Sequence, residues 1–336
     1  MQLGHGRHFI GDGMRSLLLS DYANNYFYLK FSTQVWKIHY QNLFAQLDAV
    51  SSRDNIGDEL LPRKFMAAHY LDFIISDRLT IGLYEAVVFG RENGFELQYL
   101  NPIILYRSLE RQLDSPDNVL IGLNYKWAPA NSWQIYGQLV IDELKTSEAF
   151  SGKGWWGNKV GYQLGLKKYN LFNVDQLDLQ LEYNTVRPFT YGHRADQLGD
   201  RPVASYSHHN QALAHPYGAN FRELIVELRY RLRKDTWANV KYLRSSLGQE
   251  IEGAYLGRDI LIDYNERSED FGHFTGQGDA TDISLVKLGI TVMPWPNYFV
   301  DLTLMHRRES TSITTDNTNY IGFGFRVNVW DEDRDY

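Results

Sequence analysis

The 336-residue chain contains no cysteine, which excludes a disulfide scaffold and thiolate metal sites. It contains no apolar run of about 18 residues, so no segment qualifies as a transmembrane helix. It carries no excess of positive charge: the net charge is −7, which argues against a general nucleic-acid binder. The opening MQLGHGRHFIGDG has no charged region followed by an apolar one, so it is not a signal peptide. The expectation is that the protein is not exported or that the chain lacks its original beginning. Metal and catalytic signatures are equally scarce. HxH, HExxH and GxSxG spacings are missing, and GHGRHFIGDG lacks the GK[ST] ending and the βαβ setting of a phosphate loop.

What the chain has in quantity is aromatic residues, 14% of the total with 23 Tyr and 8 Trp. Such side chains gather where one end is apolar and the other wet. It also has alternation. In 176–186 (QLDLQLEYNTV), Leu177, Leu179, Leu181 and Tyr183 fall on one face of an extended strand, and Asp178, Gln180, Glu182 and Asn184 on the other. A period of two belongs to a strand, not a helix. Similar segments are predicted at 24–33, 36–47, 64–75, 79–89, 118–127, 132–144, 159–169, 222–233, 237–243, 283–293, 298–308 and 320–330, with 2–10 as a weaker first strand. The count is 13–14 strands, most of them about 10–12 residues long, against about 5–6 in soluble sheets. Tilted strands of about 9–11 residues match the hydrocarbon thickness of a bilayer. The polar mean hydropathy of −0.41 does not oppose this, because a barrel hides its apolar band from a window average.

Link lengths carry a second pattern. Short links near 34–35, 76–78, 128–131, 170–175, 234–236 and 294–297 alternate with long ones near 48–63, 91–117, 145–158, 187–221, 244–282 and 309–319. Outer-membrane barrels alternate this way because their periplasmic turns are tight and their outer loops long. Trp36, Trp127, Trp133, Trp237, Trp295 and Trp330 lie at strand ends, as interfacial girdle residues do. The expected fold is therefore all-β: an antiparallel transmembrane outer-membrane β-barrel spanning 1–336 as one domain. Residues 14–19 read as one short helical turn. The segment 95–113 reads as an extra hairpin arm or a loop in the lumen, and DEDRDY at the end as a solvated tail.

The pieces GHGRHFIGDGMRSLLLSD, ELQYLNPIILYRSLE, GWWGNK, LEYNTVRPFTYGHR and LAHPYGANFRE resemble the capsule assembly protein Wzi family, and most closely its Bacteroidota branch with gliding-motility proteins of the RemB type. Met14 stands where that family usually has tyrosine. The resemblance covers essentially the whole chain and implies a barrel of about 18 strands, in the Gram-negative outer membrane, that binds or organises surface or capsular polysaccharide without catalysis. It also implies that a signal peptide and further barrel sequence precede GHGRHFIGDG, so the chain reads as N-terminally shortened. No cofactor or nucleic-acid partner is expected, and the outer-membrane lipid is the other partner. Two alternatives remain: a diffusion channel with an open lumen, and a soluble all-β carbohydrate-active enzyme.

Sugar binding asks for aromatic faces and planar polar groups. The polysaccharide-contact candidates are Trp155 and Trp156 of one long loop and Arg187, Tyr191, His193, Arg194, Tyr206, His208, His209 and Tyr217 of another. The plainer reading has these side chains packing loop on loop to plug the lumen. His208 and His209 would point to opposite sides if extended, and with His193 and His215 they lack metal-site spacing. GQGDATD at 276–282 lacks EF-hand spacing. Asp178, Gln180, Glu182, Asn184, Arg229 and Arg231 are expected to face the lumen, where Arg222, Arg229, Arg231, Arg233 and Lys241 form a positive stripe. That stripe either pairs with Asp178 and Glu182 across strands or attracts an acidic polysaccharide. Leu179→Arg, facing lipid near mid-membrane, is expected to impair barrel assembly by about 2–4 kcal/mol, while Gln180→Arg is expected to be tolerated.

Overall fold

The computed structural model describes residues 1–49, 63–91, 94–101, 117–195, 202–329 and 335. Fourteen strands form one antiparallel sheet: β1 (Gln2–Gly6), β2 (Tyr26–Val35), β3 (Ile38–Asp48), β4 (Arg63–Ser76), β5 (Leu79–Gly90), β6 (Asn118–Ala130), β7 (Trp133–Glu143), β8 (Lys159–Lys168), β9 (Leu177–Val186), β12 (Phe221–Arg233), β13 (Thr236–Gln249), β14 (Asp279–Trp295), β15 (Tyr298–Ser310) and β16 (Thr315–Val327). Each pairs with its neighbour in this order. Among the described residues, β1 and β16 each have one partner strand. Ser207–His208 (β10) and Gln211–Ala212 (β11) make a separate small hairpin in the loop after β9.

Register assigns the two faces. Leu179 lies opposite Leu228, and Leu181 opposite Val226; between them Gln180 meets Glu227, and just beyond Leu181 Glu182 meets Ile225. The Leu face is outward. Leu164, Leu224, Val240, Leu288, Ile290, Leu302, Leu304 and Phe323 are all exposed on it. A continuous belt of large exposed apolar side chains around so many strands suits lipid, not water. At one edge of the belt, beside the short turns, Trp36, Trp127, Trp133 and Trp295 are exposed and form a girdle. Trp237 departs from that expectation. It pairs with Arg231 and Thr291 on the inward face, because its parity matches Asn239 and Lys241. Trp330 lies outside the described residues.

The alternation of links holds over most of the sheet. Short links at 36–37, 77–78, 131–132, 169–176, 234–235 and 296–297 alternate with longer connections at 49–62, 91–117, 144–158, 187–220 and 250–278. The last link is the exception. It is only 311–314, because β15 and β16 stay paired as far as Ser310 and Thr315. β13 is also longer than its sequence pattern, running on to Gln249. Its outer portion, Arg244–Gly248, rises past the apolar belt, so the outward positions no longer need to be apolar.

Part of the interior is a packed core. Leu17, Leu18, Tyr84, Tyr191, Tyr206, Leu213, Phe221, Ile225 and Leu243 are buried together, drawn from wall strands, from the segment after β1 and from the loop after β9. A second cluster sits on the outward face of β3–β6, where Phe44, Phe65, Ala67, Val87, Phe89 and Val119 are covered by Phe95 and Tyr99. Phe95 stands within 5.2–5.9 Å of the rings of Phe44, Phe65 and Phe89. The described part of the 91–117 connection therefore folds neither into the lumen nor into a hairpin arm. It lies against the outside of the wall, anchored by the Arg91–Asp117 pair at 2.7 Å and by Tyr99 Oη donating to Asp117 at 2.5 Å. Residues 102–116 are outside the description.

Candidate functional site

The site begins with the strap that leaves β1 and crosses the lumen at 7–25. Residues 14–19 form no helical turn; Ile10 and Leu19 bridge as antiparallel partners. The wall holds this irregular backbone with polar side chains, which satisfies amides that have no ladder partner. The Glu182 carboxylate accepts from the Met14 and Arg15 amides at 2.6 and 2.9 Å. Gln138 accepts from the Leu17 amide at 2.7 Å and donates to the Ile10 carbonyl at 2.8 Å. Gln163 donates to the Arg15 carbonyl at 2.9 Å. A Cβ on Gly13 would stand 2.5 Å from Glu182 Oε2, so only glycine allows this approach to the wall. The Arg15 guanidinium is buried between Glu223 at 3.4 Å and Asp335 at 2.7 Å, and Lys241 holds Asp335 from the other side at 2.8 Å. Asp335 is thus not part of a solvated tail. Two fixed cations draw its carboxylate inside.

Over the strap lies the loop between β9 and β12. Tyr191 Oη donates to the Leu17 carbonyl and Tyr206 Oη to the Leu18 carbonyl, each at 2.7 Å, and the two rings stack at 5.8 Å. Tyr206 also bonds Tyr84 of the wall at 2.7 Å. His215 Nε2 sits 2.7 Å from Glu223 while its Nδ1 accepts from the Tyr217 amide at 3.1 Å. His208 Nδ1 accepts from the Asp48 amide at 3.0 Å and Nε2 lies 3.2 Å from the Asn25 carbonyl.

Most of the expected contact set has partners within the chain. Tyr191, His193, Tyr206 and His208 are buried and structural, with their polar atoms turned to backbone. Trp156 is closed over by the Arg267 guanidinium at 3.8 Å and the Tyr264 ring at 4.8 Å. Arg187 spends its donors on the carbonyls of Asn158 at 2.7 Å and His273 at 3.0 Å, tying three outer loops together. Tyr217 packs on His215 and Phe221. Arg194 and His209 are exposed, and Trp155, Trp156, Arg187 and Tyr217 are half-buried. His208 and His209 do not point apart. Positive φ at His209 and Asn210, 48° and 62°, makes a tight hairpin turn that brings the rings to 4.3 Å. Asp48 joins them, within 3.0 Å of His209 Nε2. Both nitrogens of His208 already have backbone partners, so the trio lacks a free second imidazole for an ion.

Asp178, Gln180, Glu182 and Asn184 of β9 and Arg229 and Arg231 of β12 share one parity in the register. Arg222 has the opposite parity and faces outward. The expected ladder of charge pairs does not form. Asp178, opposite Arg229, accepts from the Asn170 amide at 3.1 Å, and Arg229 instead donates to Gln180 at 2.6 Å, with Glu227 at 3.5 Å.

Two spaces remain around this plug. At the outer mouth, a pocket of about 290 Å³ is lined by Asp117, Asn118 and Val119 at the start of β6, by Asp142 to Lys145 at the end of β7, and by Trp155 and His193. Asn118 Nδ2 is buried there without a partner. Lys145 Nζ lies 5.3 Å over the Trp155 ring, and Glu143 is 3.1 Å from Lys159. A Cβ on Gly157 would stand 2.5 Å from the Trp155 indole, so glycine lets that ring fold back over the chain. Burial holds His193 largely neutral, with its pKa lowered to about 4. Sequence reading missed Asn118, Glu143 and Lys145, whose only signal was polar residues clustered at adjoining strand ends. At the short-turn end, a larger cavity of about 1060 Å³ is lined by Arg15, Lys167, Arg229, Arg231, Lys241, Lys287 and Arg326 against Asp178, Glu227, Asp301 and Asp335, with Tyr169 and Trp237.

The wall, its apolar belt, the tryptophan girdle and the long loops on one side define an outer-membrane β-barrel, here with a strap and a loop folded across its lumen. No known protein family and no curated protein matches the sequence. Among solved structures the fold is similar to Wzi of Escherichia coli, an outer membrane protein involved in group 1 capsule assembly and described as a carbohydrate-binding β-barrel. The TM-score is 0.64 at 11% identity, over 97% of this chain and 67% of that one. OpdK and OccD3 of Pseudomonas aeruginosa give TM-scores of 0.47 at 13% and 14% identity, covering 90% and 96% of this chain and 69% and 74% of theirs. At these identities the likeness is one of fold.

Proposed function

We propose that the protein is a non-catalytic outer-membrane barrel that binds surface polysaccharide at its outer mouth. The observation that carries this reading is the mouth pocket itself. It joins an aromatic ring, Trp155, to the unpartnered amide of Asn118 and to the charged Glu143 and Lys145, the combination a pyranose needs for stacking and for hydroxyl hydrogen bonds. Its volume of about 290 Å³ is at the small end of ligand sites, suited to a short stretch of chain rather than a large ligand. Asp117 and Asp142 are committed to Arg91 and to the Tyr191 amide. They therefore hold the wall rather than serve as an acid–base pair, which favours binding over hydrolysis. The Wzi-like fold and the sequence resemblance support a role in holding capsular polysaccharide at the cell surface, and the RemB-like branch of that resemblance adds adhesion or gliding.

The test is binding of surface polysaccharide, purified from cells that make the protein, to the full chain in detergent, followed by tryptophan fluorescence and calorimetry. Trp155→Ala and Asn118→Leu should each weaken binding by about tenfold or more, with wild-type heat-modifiable migration retained. Unchanged affinity in both variants would reject the mouth pocket as the site. Deletion of the gene, scored by capsule staining and by a gliding assay, separates the two cellular roles.

A further inference from the structure

On the outward face of β12–β15, the apolar belt ends in a row of arginines on the side of the long connections. Register sets the row. Tyr183 lies opposite Leu224, Leu224 opposite Arg244, Arg244 opposite Ser284, and Ser284 opposite Arg308. Arg222 sits one outward position nearer the loops, opposite Ser246. Its guanidinium reaches the loop after β13, where a Cβ on Gly276 would stand 3.9 Å from Nη1. All three arginines are exposed. Among the described residues, none of them has an ion pair or a side-chain hydrogen bond. One acid shares the outward face at this height, Asp282, which lies opposite Ser246 and Ser310 and pairs with none of the three. Just below the row, Leu224, Val240, Leu288 and Leu304 are exposed and apolar. Aromatic rings mark the depth independently. Tyr162 and Tyr183 stand 6.0 Å apart on the outward face beside the long connections, and Tyr242 is exposed next to Arg244. Such rings sit where hydrocarbon gives way to headgroups.

We propose that Arg222, Arg244 and Arg308 form a binding site for the phosphate-bearing headgroup of an outer-leaflet glycolipid of the lipid A class. Strands are spaced about 4.8 Å apart, so Arg244 and Arg308, two strands apart, stand about 10 Å from each other across Ser284. Ser246 and Ser284 are short, which leaves space between the guanidinium arms and adds hydroxyl donors on the same face. Guanidinium groups meet phosphate in two-pronged geometry. Three unpaired cations this close repel one another, and a membrane surface that carries phosphates turns that cost into attraction. A ligand that meets both the arginines and the leucines beneath them has acyl chains under an anionic head, which a free phosphate lacks. The long connections place the row on the outer side of the membrane, where the headgroups are phosphorylated sugars. The site rests on the outer-membrane placement of the barrel and is independent of the mouth pocket.

The full chain, released from phosphatidylcholine nanodiscs doped with lipid A and weighed by native mass spectrometry, should retain lipid A. Dephosphorylated lipid A should be retained about tenfold less or weaker still, and phosphatidylglycerol at the same mole fraction should also be retained less. Arg222→Gln, Arg244→Gln and Arg308→Gln, added in turn, should each lower lipid A retention by about fivefold. Trp155→Ala should retain lipid A as wild type does. Equal retention of lipid A and its dephosphorylated form, or wild-type retention in a triple variant that keeps heat-modifiable migration, would overturn the assignment. So would equal retention of phosphatidylglycerol, because any anionic lipid would then serve, and so would full displacement by inorganic phosphate, because the row would then read single anions. If the triple variant fails to fold, Arg308→Gln alone decides: unchanged retention there rejects the site.

Discussion

At the scale of the residue, polar side chains facing a lumen are not equivalent to polar side chains facing water. Gln180 is buried, donates to Tyr136 Oη at 2.8 Å and accepts from Arg229 at 2.6 Å. Glu182 anchors two strap amides and accepts from Tyr136 Oη at 2.8 Å. The expectation that Gln180→Arg is harmless therefore fails on structural grounds: the new cation would lie beside Arg229 and leave Tyr136 with one partner fewer. Both Leu179→Arg and Gln180→Arg should destabilise the barrel, the first by about 2–4 kcal/mol near mid-membrane and the second by about 1–3 kcal/mol from lost buried hydrogen bonds. Urea unfolding in lipid vesicles, followed by tryptophan fluorescence, measures both. An unchanged midpoint for Gln180→Arg would show that the network is not formed in the membrane.

At the scale of the element, the strap and the loop between β9 and β12 are the parts of the chain that behave like a soluble core, and their histidines make their docking sensitive to pH. Burial lowers the pKa of His193 to about 4 and shifts His208 in the same direction. His208 accepts from the Asp48 amide through Nδ1, which it can do only while that nitrogen carries no proton. In the undocked loop these groups titrate near 6.5. Between about pH 6.5 and 4 the undocked form binds more protons than the docked one, so docking is fully favourable above that window and is lost as pH falls through it. Hydrogen exchange of the Tyr206 and Leu213 amides should accelerate from pH 7 to pH 4.5 beyond its intrinsic pH dependence. His193→Gln combined with His208→Gln should flatten that change. Equal protection at both pH values after correction would refute the linkage.

At the scale of the whole molecule, the strap and the loop separate an outer pocket from a lower cavity. The wall strands carry lipid contact on one face and a hydrogen-bonded core on the other. A barrel of this kind should show no steady conductance in planar bilayers. Gly13→Leu, which places a side chain against Glu182 Oε2, should dislodge the strap and open measurable current at neutral pH. Steady ohmic current through the wild type would favour a diffusion channel instead. The cover on the outward face of β3–β6 adds a second asymmetry, since Phe95 and Tyr99 take the place of lipid on Phe65 and Phe89. That side of the barrel is covered by protein at the strand ends next to the long connections.

The sequence by itself determined the strands and most of their facing, Arg222 and Trp237 excepted. Period-two alternation and link length are local properties, set by pleat geometry and by which side of a membrane a connection occupies. It misjudged the end of β13 and the last link only where the strands extend beyond lipid and the apolar rule lapses. The fate of the site residues was decided by tertiary structure. Tyr191, Tyr206 and His208 have the same composition signal whether they meet sugar or pack on a strap, and only the fold shows that backbone carbonyls and amides more than 150 positions away claim polar atoms of all three. Asn118, Glu143 and Lys145 became neighbours of Trp155 because β6 and β7 end beside a folded loop. The lower cavity has its charged lining because alternate residues of β8, β12 and β14 converge on it, a sum over distant strands that no local window contains.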